Sequence, residues 1–526
     1  MYVRRKPNKS GAVSVQVVSK HTGKYKVMRS FGTGRTEQEL VRLEERARQF
    51  ITEQRGFAGE LFFDEEDVRL EDFLSTINNT QIKVVGPELI FGELYDSIGY
   101  GTIQNDMFRH LVISRLFSPG SKLKTIDYLE RYQGIIYSID KIYRFLDTLC
   151  EKVDKTPEAQ RNEAKKDLKA SVEQIAFEHT KRVLRGNITV AFYDMTTLYF
   201  EASDEDDLRK TGFSKDGKHQ CPQIFLGLLT AAGGNPIGYE IFTGNIFEGH
   251  TFIPVLQNIE KKYSLGKPIV VADAGLLSES NRQSLETGGY KYILGARIKS
   301  TKDILKEKIL SFNLQNGQAK TIKQKDGTRL VVSMSDKRAK KDKHNREKGL
   351  TRLQKRVKSG KLTKASINNR GYNKYLKLEG EITISIDEDK LTADAVWDGL
   401  KGYVTNTNLS AKKVIENYGN LWYIERAFRM NKTDLRIRPI YHHLHNRIEG
   451  HICICFTAYT VLLEMERMLK QAKSDITVKR AQELTKTMYQ LSYRLPKARL
   501  TKSIILGMDN EQQELYNMVI RWSKRK

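Results

Sequence analysis

The 526-residue sequence is poor in cysteine, in uninterrupted apolar runs and in acidic side chains. Four cysteines (Cys150, Cys221, Cys453 and Cys455) are far too few to staple a small secreted scaffold. The longest apolar stretch, Ile452 to Met465, is broken by threonines and too short to span a bilayer. The basic residues of MYVRRKPNKSG are not followed by the apolar segment of a secretory signal. Secreted and membrane-spanning classes are thereby excluded, and a cytoplasmic protein is expected. Gly233-Gly234 lacks the Lys-Ser or Lys-Thr that completes a nucleotide loop, so no nucleotide cofactor is expected.

Against 64 Asp and Glu stand 89 Lys and Arg, a net charge of +25. Such an excess repels itself unless a polyanion is the usual partner. Nucleic acid is the commonest one, because neutralising its phosphates releases condensed counterions. Between Lys337 and Lys364, 13 Lys or Arg face two acids. A charge run alone fits a solvated face or a disordered loop just as well; the total charge tips the balance toward nucleic acid. With 39% hydrophobic residues there is ample material for a core, in about three to five domains.

Residues 12–35 alternate apolar and polar side chains around His21-Thr22-Gly23, which predicts a hairpin, and a charged helix is expected over 36–53. Residues 88–185 read as helical. Two segments, 107–117 and 138–149, flank a Ser118-Pro119-Gly120 break, a spacing that suits a helix-turn-helix and ordinary core helices alike. Strands are predicted at 188–192, with 197–201 continuing that edge, and as a pair within 224–242 around Gly233-Gly234-Asn235-Pro236. A helix (252–263), a strand (267–272), a helix (278–287) and a strand (290–296) come next. Three meandering strands succeeded by alternating helix and strand is the layout of a ribonuclease H-like α/β domain. Residues 301–400 interrupt it, with strand-like 329–334 and 380–386 flanking the basic run, and read as a β-rich insertion. Helical periodicity resumes after Ser410 and continues to the end. The expected division is therefore 1–87, a β-hairpin and helix region; 88–185, a helical region suited to binding DNA ends; 186–300 with 401–465, the α/β core; 301–400, the basic insertion; and 466–526, a helical region.

Asp194, in AFYDMTT, and Asp273, in PIVVADAG, fall at the ends of the first and fourth predicted strands. Either alone is as well explained as a cap on the adjoining turn. Together, on neighbouring strand ends of this topology, they face a cleft and repel each other unless a hard cation lies between them. A third carboxylate must come from a helix beside the sheet. In 411–435, Tyr418, Glu425 and Lys432 are spaced by seven and seven, about two turns each, which puts all three on one helix face. Trp422 and Phe428 are expected to fill the face beneath, and Gly419 weakens the helix locally.

These residues resemble the DDE transposases of bacterial insertion sequences, in the group called insertion sequence family four. Its signature is Tyr-x2-Arg-x3-Glu-x6-Lys. Tyr418, Glu425 and Lys432 are in register, while Leu421 stands at the Arg position and marks a divergent subgroup lacking one DNA-backbone contact. Asp194 resembles the first acid and Asp273 the second, and EIFTGNIFEGHTF (240–252) is similar to the segment between them. The gaps are 273 − 194 = 79 and 425 − 273 = 152 residues, the second similar to members carrying a β-rich insertion before the Glu. The resemblance implies a ribonuclease H-like core in which Asp194, Asp273 and Glu425 hold two Mg²⁺ ions, with Mn²⁺ able to substitute. It implies metal-dependent cleavage at transposon ends and strand transfer into target DNA, the double-stranded ends and target as partners, and a homodimer on DNA. Tyr418 and Lys432, with Arg429 on the same helix, would grip the phosphates. Lys340, Lys341, Arg352, Lys355 and Arg356 of the basic run add salt-dependent affinity with little sequence choice.

The cluster Tyr441-His442-His443-Leu444-His445, with His451, Cys453 and Cys455 beyond, matches no paired zinc spacing; a phosphate contact by His442 fits better, and Cys453 and Cys455 read as small core residues. Two rivals stand beside the transposase: a catalytically inactive repressor or architectural DNA-binding protein, and a metal-dependent nuclease without strand transfer. Retention of all three acids disfavours the first.

Overall fold

The computed structural model describes residues 1–9, 11–21, 24–60, 65–150, 168–263, 266–276, 278–360, 362–363, 366–368, 371–379, 383–495 and 500–524. Thr22 and Gly23 of the expected hairpin turn lie outside these residues. The chain divides into two units, residues 1–82 with 491–504, and residues 83–490 with 505–526.

In the first unit, β1 (Tyr2–Pro7), β2 (Val13–His21) and β3 (Lys24–Gly34) form an antiparallel sheet in sequence order. Val15 and Val17 share one face of β2, as the period of two requires, and pack with Leu40, Ala47 and Ile51 of α1 (Glu37–Glu60). The predicted hairpin and helix are both present, and β1 is an added strand. Next come α2 (Glu65–Ser75) and, where the chain passes into the second unit, β4 (Ile82–Val84).

The second unit opens with helices α3 (Glu93–Ile98), α4 (Asp106–Phe117), α5 (Lys122–Tyr128), α6 (Ile139–Leu149) and α7 (Leu168–Val183). Asn105, Ser121 and Ser138 cap α4, α5 and α6 by accepting backbone N–H bonds. Phe108, Leu111, Val112, Ile113 and Leu116 bury α4 on nearly every side. It is a core helix, with no face to offer a DNA groove.

The main sheet has eight strands. β5 (Val190–Tyr199), β6 (Gln223–Thr230) and β7 (Pro236–Thr243) make an antiparallel meander. After α8 (Phe252–Tyr263), β8 (Ile269–Ala272) pairs parallel to β5; after α9 (Glu279–Thr287), β9 (Tyr292–Ala296) pairs parallel to β8. The spatial order 7-6-5-8-9, with three antiparallel strands and two parallel crossovers, is that of a ribonuclease H-like core.

Residues 301–400 contribute more than an insertion. After α10 (Asp303–Leu310), β10 (Ala319–Lys323) and β11 (Arg329–Met334) join the same sheet, and the basic run becomes α11 (Asp336–Lys358), a 23-residue helix capped by Ser335. The strand-like 380–386 falls partly outside the described residues; β12 (Leu376–Glu379) and β13 (Thr383–Ile386) form a separate hairpin, and α12 (Glu388–Ala395) comes after it. Leu353 of α11 packs with Tyr375 and Leu376 in a small core of its own. β14 (Leu400–Thr405) then enters the main sheet between β9 and β11, antiparallel to both.

Alternation splits the core in two. Phe192, Leu198 and Val271 share one apolar cluster, and Ala191, Tyr193, Met195, Val270 and Ala272 share the other. The first cluster is completed by α13 (Ala411–Gly419), α14 (Trp422–Thr433) and the 28-residue α15 (His445–Ala472), on which α3, α4, α6 and α7 also pack. Cys453 and Cys455 are buried in α15 as small core residues, and the described cysteines are all free. Beyond α15 lie α16 (Val478–Leu484), β15 (Tyr489–Arg494), β16 (Thr501–Ile505) and α17 (Asn510–Ser523), so two strands interrupt the expected helical end. No helix among the described residues is long and apolar enough to cross a membrane.

Candidate active site

In the parallel pairing of β5 with β8, Tyr193 lies opposite Ala272. Asp194 and Asp273 are the next residues along the chain from each. Asp194 shares the alternation of Phe192 and Leu198, and Asp273 that of Val271, so both belong to the face covered by α13 and α14. β5 runs on to Tyr199, past the end of β8, which leaves Asp194 in mid-strand rather than at the strand end the sequence suggested. The 197–201 segment is largely the continuation of this strand.

The helix expected across 411–435 is broken into α13 and α14 at Asn420 and Leu421, next to Gly419. Leu421, at the signature's arginine position, is 8% exposed and packs into the core, so the apolar residue suits its place. Ile424, Ala427 and Phe428 bury one side of α14, while Glu425 and Arg429 face outward. Phe428 fills the core as expected. Trp422 does not: it is 48% exposed and stacks on Tyr423 with ring centroids 4.1 Å apart.

Tyr418 turns inward from the last turn of α13, so it does not share the outward face of Glu425 as the spacing suggested, and its burial takes it off the surface a DNA phosphate would meet. Its hydroxyl donates to Asp273 Oδ1 at 2.7 Å, and burial together with Asp273 holds that hydroxyl protonated far above the usual tyrosine range. The approach depends on Gly295 in β9, where a Cβ would stand 2.5 Å from the Tyr418 hydroxyl. The Lys401 ammonium, from β14, lies 4.2 Å from the Tyr418 ring centre. Burial and Arg338 lower the Lys401 pKa, while the charges of Asp273, Glu425 and Asp342 oppose the drop. Asp194 has its own: Lys215 Nζ stands 3.8 Å from Asp194 Oδ1, which also accepts the Met195 N–H at 2.8 Å.

Lys432, at the end of α14, is half-buried and pairs with Asp216 at 3.2 Å; Arg438 pairs with the same carboxylate. Burial works against the Asp216 charge, but these two cations hold its pKa below the ordinary range. His442 has its pKa pushed down to about 3 by burial and by Lys122 and Arg115, so it is a neutral hydrogen-bonding group at physiological pH. Lys340, Lys341, Arg352, Lys355 and Arg356 are exposed along α11 or nearly so, apart from the methylene stems that lie on the helix surface.

The structure thus brings Asp194 and Asp273 to matching positions on adjacent strands, with Glu425 on α14, which packs against β5. Among the described residues, no three His, Cys, Asp or Glu side chains form a group that could hold a metal ion. The donor chemistry nevertheless fits a hard divalent cation: the acids offer carboxylate oxygens, and Lys215 stands by Asp194 as an internal cation. Sequence reasoning missed Lys401, Lys215, Asp216 and Gly295. Each is distant from the signature, and only Lys215-Asp216 in the polar loop after β5 carried a charge pattern that would have flagged it.

Residues 186–461 match the sequence pattern of a family described as the transposase DDE domain. No curated protein matches the chain. Among solved structures, the chain is similar to a piggyBac transposase synaptic complex with hairpin DNA, at 10% identity and a TM-score of 0.38, over 78% of this chain and 80% of that one. It is similar to a Mos1 transposase paired-end complex with left transposon end, at 14% identity and a TM-score of 0.15, over 33% of this chain and 53% of that one. A Mos1 mariner paired-end complex with Mn shows 12% identity and a TM-score of 0.15, over 38% of this chain and 76% of that one.

Proposed function

Because the chain belongs to the transposase DDE-domain family, we propose that it cleaves DNA at the ends of a mobile element and joins those ends to target DNA, with Asp194, Asp273 and Glu425 as catalytic carboxylates. One observation carries the assignment: the β5–β8 register sets Asp194 and Asp273 side by side on the sheet face that α13 and α14 cover, with Glu425 on α14.

The three acids are the residues that would hold divalent metal, Mg²⁺ as two ions with Mn²⁺ able to replace it; such ions, when bound, supply an activated oxygen nucleophile and stabilise the leaving oxygen. The protein's own contribution is positional. Tyr418 orients Asp273 by its hydrogen bond, which limits where that carboxylate points. Lys401 and Lys215 offset the repulsion of the acids and must yield as cations enter. Asp216 holds Lys432 and Arg438 in place, from where both can turn to a DNA phosphate. Arg429 and the cations of α11, Lys340, Lys341, Arg352, Lys355 and Arg356, extend the positive surface, contributing affinity rather than sequence choice. His442 contributes as a neutral donor. Two ends must be joined in one event, so a homodimer on DNA is part of the proposal.

The test is a supercoiled donor plasmid with Mg²⁺, comparing wild type with Asp194→Ala. Cleavage and joining are expected from the first and lost in the second, with DNA binding kept. Cleavage without joining would assign a nuclease; joining by the variant would remove Asp194 from the chemistry.

A further inference from the structure

Ser118-Pro119-Gly120 ends α4 and turns the chain, so that Lys122 at the start of α5 comes back beside Arg115 at the end of α4. Between this corner and the segment Arg436 to His442 lies a cavity of about 530 Å³. Arg115, Lys122, Lys124, Arg436 and Arg438 line it, and none of its lining residues is an Asp or Glu.

The burial is unusual for such charge. Lys122 and Arg115 are each only 5% exposed. Among the described residues Lys122 has no carboxylate and no hydrogen-bond acceptor; its electrostatic neighbours are Arg115, the Cys455 thiol and the imidazoles of His442 and His451. Arg115 makes only long contacts, 3.5 Å to the Leu435 carbonyl and 3.5 Å to His451 Nδ1. A buried cation without a counter-charge costs several kcal/mol, and a second cation beside it adds repulsion. A core lysine with no structural partner is retained most economically when a ligand supplies the missing negative charge. The lining suits an anion with several acceptor oxygens: a guanidinium fork, an ammonium and a neutral imidazole converge on one space.

We propose that this pocket holds a phosphate group of a DNA strand, either a terminal monoester or a backbone diester, with Lys122 and Arg115 at its base and Lys124 at its rim. It rests on the proposed function for the choice of DNA as the source of phosphate. The pocket itself needs neither metal nor the three carboxylates.

Isothermal titration of the full-length protein, free of metal, with the dinucleotides pTpT and TpT and with inorganic phosphate tests this. Wild type and Lys122→Arg are expected to bind at least one dinucleotide saturably at a single site. Lys122→Met should weaken that binding at least tenfold and Lys124→Ala, a surface change that leaves the core intact, about threefold, while Lys308→Met on α10 leaves it unchanged. Preference for pTpT by tenfold or more identifies a terminal phosphate; equal binding of pTpT and TpT identifies the backbone. Binding unaffected by both Lys122→Met and Lys124→Ala, or binding of inorganic phosphate but of neither dinucleotide, overturns the proposal. The plasmid assay with Asp194→Ala is separate, so either result can fail while the other stands.

Discussion

Replacing Lys122 by methionine should make the protein more stable in the absence of DNA. The Lys122 amine is pulled from an ordinary 10.5 down to about 7, first by burial and then by Arg115, with the Cys455 thiol opposing. The titratable groups facing this corner are Arg115 on α4, Lys124 on α5, Tyr143 on α6, Arg436, Arg438, Tyr441 and His442 before α15, and His451 and Cys455 on α15. Between about pH 7 and 10.5 the folded chain binds fewer protons than the unfolded chain at this site, so stability rises with pH through that window. The cost is complete below about pH 7 and gone above about 10.5. At about 1.4 kcal/mol per tenfold change, the drop sets a ceiling of roughly 5 kcal/mol, and relaxation around the site brings the expected gain for Lys122→Met to about 1–4 kcal/mol at low pH. Methionine keeps the unbranched shape, so the packing is preserved. Urea unfolding of full-length wild type and variant, without DNA or phosphate, should show this gain at about pH 6 and less than half of it at about pH 9.5. A variant no more stable than wild type at the lower pH, or an advantage equal at both, refutes the reasoning.

Tyr418→Phe removes the hydroxyl that orients Asp273; strand joining should fall about five- to tenfold, the worth of one hydrogen bond, with DNA binding retained. Gly295→Ala should fall further, since the new Cβ displaces Tyr418 outright, and single-turnover joining assays distinguish the two. Asp216→Asn frees Lys432 and Arg438 from their carboxylate. DNA should bind severalfold more tightly at low salt, with a log–log salt dependence steeper by about one; an unchanged slope counts against both cations as phosphate contacts. Glu464, 1% exposed, accepts from Trp522 Nε1 at 2.7 Å and meets Arg467 and His179 at 2.6 and 3.0 Å. Glu464→Leu should cost about 3–5 kcal/mol by denaturant unfolding, because it leaves buried cationic and N–H groups without their acceptor.

The elements around the candidate site are readable in proportion to how local their signals are. The β5–β9 order comes from period-two alternation and turn residues, which act within a few residues of themselves. The seven-residue spacing of Tyr418, Glu425 and Lys432 singles out Glu425 as a candidate, but the helix breaks at Leu421, and Tyr418 is buried while Glu425 faces outward. The helix of the basic run is hidden because charge obscures its weaker pattern, though Leu350, Leu353 and Val357 recur at three and four residues and Ser335 precedes them as a cap. Trp422 is misplaced because seven-residue spacing assumes an unbroken helix, and the break at Leu421 rotates α13 relative to α14.

Composition and alternation determined the excess of positive charge and the core's strand order, because charge and periodicity are properties of the chain read in line, while Asp194, Asp273 and Glu425 as site residues remain the proposal made above. Other features came only with the tertiary structure: β10, β11 and β14 widening the sheet, Lys401 over the Tyr418 ring, Gly295 admitting Tyr418, and Lys122 closed against Arg115. Most of these depend on contacts between residues tens to hundreds of positions apart, and for the charged groups among them burial sets the strength of the interaction.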